Sequence, residues 1–179
     1  MTNNAISVAN EFIKLAKIDN VTDLTFVKLR NLVYIAYGFG LSLFDGKKSM
    51  IDPRFDAVEA WKYGPVIPSV YHTFKQNQNK NIEEEGILFS KMENDTPIID
   101  YPELKDNEAK SIVNMVWRRY GKMKADELMR LTHIKGTPWS ISYIEGKTCK
   151  IPEAITKLYY DSVIKMIIEN NDNNSNSNN

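Results

Sequence analysis

The side chains able to do nucleophilic or acid–base chemistry are few: two histidines, His72 and His133, and a single cysteine, Cys149. A hydrolase built on a serine or on Cys149 needs an imidazole beside the nucleophile and a third group to orient it. Neither histidine lies in a nucleophile motif. The chain has no Gly-x-Ser-x-Gly elbow and no Gly-x-x-x-x-Gly-Lys phosphate loop. Gly38-Phe39-Gly40 falls late in an apolar helical stretch, whereas a phosphate cradle precedes its helix. Zinc needs clustered cysteine and histidine, which this chain does not supply. The reading is of a protein that is not an enzyme, with no catalytic residues, no metal and no cofactor.

One basic concentration could do binding rather than chemistry: Arg118, Arg119, Lys122, Lys124, Arg130 and Lys135. Two short helices follow it, an arrangement that can imitate a helix-turn-helix. Lys plus Arg and Asp plus Glu are balanced at 23 each, however, so the chain lacks the positive excess of a phosphate binder. Cations late in a helix also answer its dipole. Nucleic acid is therefore not the expected partner, and a DNA-binding regulator stands as the lesser alternative. The acidic run Glu83 to Glu85 reads as a solvated loop that could also steer a basic partner.

The stretch around which the chain is organised is Ala60 to Tyr71, AWKYGPVIPSVY. Pro65 and Pro68 push the residues before them toward extended geometry, so the backbone forms a stiff corner that Gly64 allows to turn. Trp61, Tyr63, Val66, Ile67, Val70 and Tyr71 give this corner more apolar surface than a solvent loop carries. It is either a plug locking two parts of one core or a preorganised recognition patch. As a patch it would present Trp61, Lys62, Tyr63, Gly64, Pro65 and Val66. The solvent side of the helix starting near Thr25, at Lys28, Arg30 and Asn31, would add specificity.

These residues also carry a resemblance. Trp61, the Tyr63-Gly64-Pro65-Val66 run and the following Pro68-x-Val70-Tyr71 resemble the signature of the Panacea domain family of SocA-like and GepA-like phage-associated proteins. Upstream, TFVKLRNLVYIAYGFGLSLFDG is similar to that family's long helix, although Arg30-Asn31 stand where Gln-Lys is usual and Val27 where leucine is usual. Downstream, LMRLTHIKGTPW, Leu128 to Trp139, is similar to its Leu-Thr-His…Pro-Trp segment, and the isoleucine-rich end to its closing helix. The resemblance implies an antitoxin of a bacterial or phage toxin–antitoxin pair, binding a cognate protein toxin encoded beside it. An adaptor that hands its partner to a cellular protease is the alternative. His133 matches the family histidine. It reads either as a partner contact or as a ring donating to a carbonyl at the end of its own helix.

The elements that must position these residues follow from periodicity. A chain of 179 residues with 42% hydrophobic content supports one domain. The expectation is a mainly α, compact bundle of about six helices around a buried central helix, with a small β element. Asn3 or Asn4 caps the first helix, and Thr25 caps the central one, which is apolar on nearly all sides from Leu32 to Phe44. Gly38 and Gly40 in it predict close approach of another backbone, the proline corner being one choice. Phe55 to Trp61 alternates like a strand. Ile87 to Phe89 and Pro97 to Ile99 suggest an edge pair around the turn MENDT. A helix ends at Gly121, another spans Ala125 to Thr132, and Thr137-Pro138 opens one running toward Gly146. The last helix opens at Pro152 with Ile155, Leu158, Tyr159, Ser162 and Met166 inward. Residues 1–169 would form the domain, and 170–179, rich in Asn and Ser, a disordered tail. With no secretory pattern at the start and no apolar stretch long enough for a bilayer, the expected location is the cytoplasm.

Overall fold

The computed structural model describes residues 4–93 and 96–176. Asn4 accepts from the Ser7 amide at 2.7 Å and starts α1 (Ala5–Ile18), which buries the stripe Ala5, Val8, Ala9, Phe12, Ile13 and Ala16. Thr25 caps α2 (Phe26–Leu43) through the Lys28 amide, and Leu24 and Leu29 are both fully buried across that cap. As its apolar run predicts, α2 is the centre of the bundle. It packs against α1 and against α4 (Asn107–Tyr120), α5 (Ala125–His133) and α7 (Glu153–Asn176).

A short hairpin, β1 (Glu59–Trp61) and β2 (Gly64–Val66), leads into α3 (Pro68–Phe74), where Pro68 occupies the first turn. The strand is shorter than the alternation from Phe55 suggests. Residues 52–56 turn instead, with the Phe55 and Asp56 amides donating to the Asp52 carbonyl, and Phe55 is 84% exposed. The edge pair is present as β3 (Leu88–Glu93) and β4 (Thr96–Asp100), antiparallel with Phe89 opposite Ile99. The tip of its turn, Asn94 and Asp95, lies outside the described residues. After α6 (Pro138–Ser142), which stops short of Gly146, β5 (Cys149–Lys150) returns to β1. The resulting small sheet has the order β2–β1–β5, with Glu59 opposite both Val66 and Lys150.

Two helix-level expectations are corrected. Gly38 and Gly40 do not receive the proline corner. The ring of Tyr160 from α7 lies on Gly38 and the Met50 side chain on Gly40, so a Cβ at either site would overlap a buried side chain. The inward face of α7 is also rotated from the predicted one. Thr156 and Tyr160 are buried and Tyr159, Val163, Ile164 and Ile167 half-buried, while Leu158 and Met166 face solvent. The reason is Tyr160 itself: its ring meets Phe39 at 5.1 Å and Tyr34 at 6.4 Å between centroids, and seating it on Gly38 fixes the helix rotation. The helix runs on to Asn176, through a segment whose composition reads as disordered. Propagation from packed turns adds one hydrogen bond per residue, so polar side chains extend a helix they could not start. Among the described residues, no helix is long and apolar enough to cross a membrane.

The Tyr160–Gly38 contact predicts that Gly38→Val lowers the free energy of unfolding by about 1–3 kcal/mol through overpacking. Urea melts of the two proteins measure it, and an unchanged midpoint would contradict this seating of α7.

Candidate functional site

The proline corner folds as the β1–β2 hairpin, in which Trp61 pairs with Gly64 and the tip is Lys62-Tyr63. Lys62 and Tyr63 keep negative φ, while Gly64, paired directly with Trp61, takes φ +112°, a backbone conformation that glycine adopts without strain. Gly64 is required sterically as well as conformationally. A Cβ there would lie 2.6 Å from Cε1 of His133.

A turn this tight directs carbonyls back toward the body of the protein, and each receives a donor from a different element. Arg30 of α2 donates from Nη2 to the Tyr63 carbonyl at 2.8 Å. Trp139 of α6 donates from Nε1 to the Trp61 carbonyl at 2.8 Å. His133, at the end of α5, fills the space over Gly64 and packs on Trp139 with 4.3 Å between ring centroids. The Trp61 indole donates to Glu59 Oε2 at 2.7 Å and its ring meets Tyr71 at 4.8 Å, with Tyr71 in turn edge-on to Phe26. The corner is therefore both of the things its composition allows. Gly64, Pro65 and Val66 are buried as a plug, Trp61 is half-buried, and Lys62 and Tyr63 project, with Tyr63 68% exposed.

The helix-borne residues are placed differently from expectation. Lys28, Arg30 and Asn31 do not form a solvent face of α2; all three are buried. Each has hydrogen-bond partners of its own. Lys28 Nζ reaches Asp23 Oδ1 at 2.7 Å, and Asn31 donates to the Val27 carbonyl at 2.8 Å while accepting from Thr132 Oγ1 at 3.0 Å. Polar types at the start of a helix signal solvent only when no neighbouring element supplies partners, and here α5 and the hairpin do so. Arg30 has the Tyr63 carbonyl and the Phe26 face, 5.7 Å from its Cζ, and its buried Nε has no partner among the described residues. Burial pulls the guanidinium below its ordinary range, with Tyr71 opposing.

His133 Nδ1 lies 2.6 Å from the Met129 carbonyl, which can only accept, so Nδ1 carries the proton. The ring thus donates locally, as the second of its two sequence readings has it, and is also a wall of the hairpin seat. Burial pushes its pKa down, and the Arg30 charge adds to this; the Met129 and Tyr63 carbonyls pull the other way. Sequence reasoning missed the cleft of about 450 Å3 beside the tip, lined by Trp61, Lys62, Tyr143 and Lys147 among others. The signal was present in Trp139 and Tyr143, four apart. Their rings stack at 5.1 Å and 18°. No group of three or more His, Cys, Asp or Glu side chains close enough to hold a metal occurs among the described residues. The arrangement is suited to contact, with a rigid tip and an aromatic cleft at its base.

Most of the seat, all but Arg30 and Phe26 at the start of α2, falls within a known domain. Residues 32–140 match the family described as Antitoxin SocA-like, Panacea domain. The chain is 30% identical over 139 residues to the antitoxin SocA of Caulobacter vibrioides (strain NA1000 / CB15N), covering 77% of this chain and 69% of that protein. No solved structure matches.

Two outcomes follow from the seat. Trp139→Phe removes the Nε1–H bond to the Trp61 carbonyl and is expected to lower stability by about 1 kcal/mol in chemical denaturation. The lowered pKa of His133 means the unfolded chain takes up a proton first as pH falls. Its stabilising contribution is full above an ordinary histidine value of about 6.5 and is lost as the pH drops through the lower folded value. Melting between pH 7.5 and 5.5 should therefore fall more steeply in the wild type than in His133→Gln. Equal slopes would show that His133 is not the titrating group.

Proposed function

We propose that this chain, which belongs to the SocA-like antitoxin family carrying the Panacea domain, neutralises a cognate protein toxin by direct contact. The antitoxin role comes from kinship. The contact surface is argued from one observation: an exposed tyrosine, Tyr63, on a two-residue turn whose carbonyls are clamped from behind by Arg30 and Trp139. A side chain presented this way is already ordered, so binding loses little conformational entropy. Tyrosine and tryptophan are the residue types that most often anchor interfaces. Lys62, whose Nζ lies 5.4 Å from the Tyr63 ring, adds a cation to the tip, and the cleft between Trp61 and Tyr143 offers a recess for a toxin side chain. Val66, Pro65, Gly64, Lys28, Arg30, Asn31 and His133 then serve the interface from below, holding the tip rather than touching the partner. Nothing in this scheme needs bond chemistry; the mechanism is occlusion of whatever surface the toxin uses.

The test is co-expression with the neighbouring gene product, scored by growth and by copurification. The wild type should rescue growth in a stable complex. Tyr63→Ala should weaken binding by about 2 kcal/mol or more, the range of an interface anchor, with an unchanged circular dichroism spectrum. Loss of helix content in that variant, or full binding by it, would sink the proposed surface. Rescue accompanied by disappearance of the toxin would point to delivery to a protease instead, and a salt-sensitive shift of a promoter fragment to a DNA-binding regulator.

A further inference from the structure

A second surface lies toward the opposite end of α2 from the hairpin. Two clefts run along α4 and share Ser111 as a lining residue. The first, about 340 Å3, is floored by Leu43, Phe44 and Ile112, with Lys47 and Lys48 beside them. The second, about 720 Å3, is floored by Phe39, Met115 and Ile167 where α4 and α7 flank α2, with Arg118 and Arg119 among its lining residues. Leu43 is 49% and Met115 38% exposed and Ile167 is half-buried, so these three give the groove its open apolar surface, while Phe39, Phe44 and Ile112 lie buried beneath them. Together the clefts span α4 from Glu108 to Arg119, about 16 Å at the helical rise, enough for three turns of a docked helix.

The charge around this groove is one-sided. Glu108, the acid among the lining residues, is paired with Lys48, which also binds Asp106. Among the described residues, Lys47 and Arg118 meet no carboxylate, and Arg119 donates only to the Tyr120 hydroxyl at 3.3 Å. Uncompensated cations therefore stand at both ends of an apolar floor. This arrangement is separate from the hairpin seat: Arg30 and Phe39 are about 14 Å apart along α2.

We propose that this groove is a second docking site, which takes an acidic amphipathic helix from a protein partner. The helix lays apolar side chains at i, i+3 or i+4, and i+7 over Leu43, Met115 and Ile167, with flanking carboxylates on Lys47 and on Arg118 and Arg119. The site leaves the hairpin tip free, so one molecule can hold two proteins at once.

The probe is a fluorescein-labelled, three-turn amphipathic peptide with a Leu/Phe face and glutamates on its flanks, titrated with the full chain and read by anisotropy. A second peptide carries lysines in place of the glutamates. The acidic peptide should bind saturably with a Kd of about 10–100 μM, weaken as salt rises, and lose affinity about tenfold with Met115→Glu. The triple reversal Lys47→Glu/Arg118→Glu/Arg119→Glu should invert the preference toward the basic peptide. Tyr63→Ala should bind the acidic peptide as the wild type does, which separates this site from the toxin contact. Three results overturn the proposal: no saturable binding, equal binding of both peptides, or insensitivity to Met115→Glu. So does a concentration-dependent dimer in sedimentation that Met115→Glu abolishes, which would make the occupant a second copy of this chain. Displacement of the acidic peptide by a DNA duplex would likewise assign the cations to nucleic acid.

Discussion

Two backbone carbonyls, those of Trp61 and Tyr63, set the terms for much of this molecule. The turn directs both back toward the body of the protein, and carbonyls directed there draw donors from it. The donors come from places far apart in the chain: Arg30 on the central helix and Trp139 on a five-residue helix. Holding those donors in place explains much of the surrounding polar structure. Thr137 caps the short helix that carries Trp139 and donates to the Thr132 carbonyl, and Thr132 donates to Asn31, one residue from Arg30. The hairpin, α2, α5 and α6 are thus tied by a chain of directional bonds across an otherwise apolar contact.

Arg30 is the most demanding member of this arrangement. A buried cation with no carboxylate partner among the described residues is kept by the Tyr63 carbonyl and an aromatic face, a weak compensation for lost hydration. Such an investment is intelligible if what matters is the position of the turn rather than net stability. The tip gains a fixed geometry from a rear clamp and leaves its own side chains free. This division, buried clamp and exposed tip, is why the signature residues of the corner are mostly invisible from solvent while Lys62 and Tyr63 are not.

Along α2 the duties change. Its first half is buried through polar side chains answered one by one, by Asp23, Tyr63 and Thr132. Its second half is buried through absence of side chains, where Gly38 admits the Tyr160 ring and Gly40 admits Met50. The first half supports the hairpin and the second fixes α7, leaving Leu43 exposed at the edge of the α4 groove. One helix therefore positions two separate surfaces.

The sequence by itself determined the local elements. Caps at Thr25 and Thr137 and one at Asn3 or Asn4, the stop at Gly121, the enclosed helix from Leu32, the edge pair and the kinship of the chain were all legible, because each depends on residues close in sequence or on a motif. It also marked the corner, including the turn at Gly64, since proline and glycine constrain their own backbone. Only tertiary structure decided which way residues face. Lys28, Arg30 and Asn31 look solvent-bound because polarity is local, and they are buried because their partners arrive from 5, 33 and 101 positions away. The rotation of α7 was hidden for the same reason: Leu158 and Tyr160 are both apolar enough to face inward, and only the space over Gly38, on another helix, chooses between them.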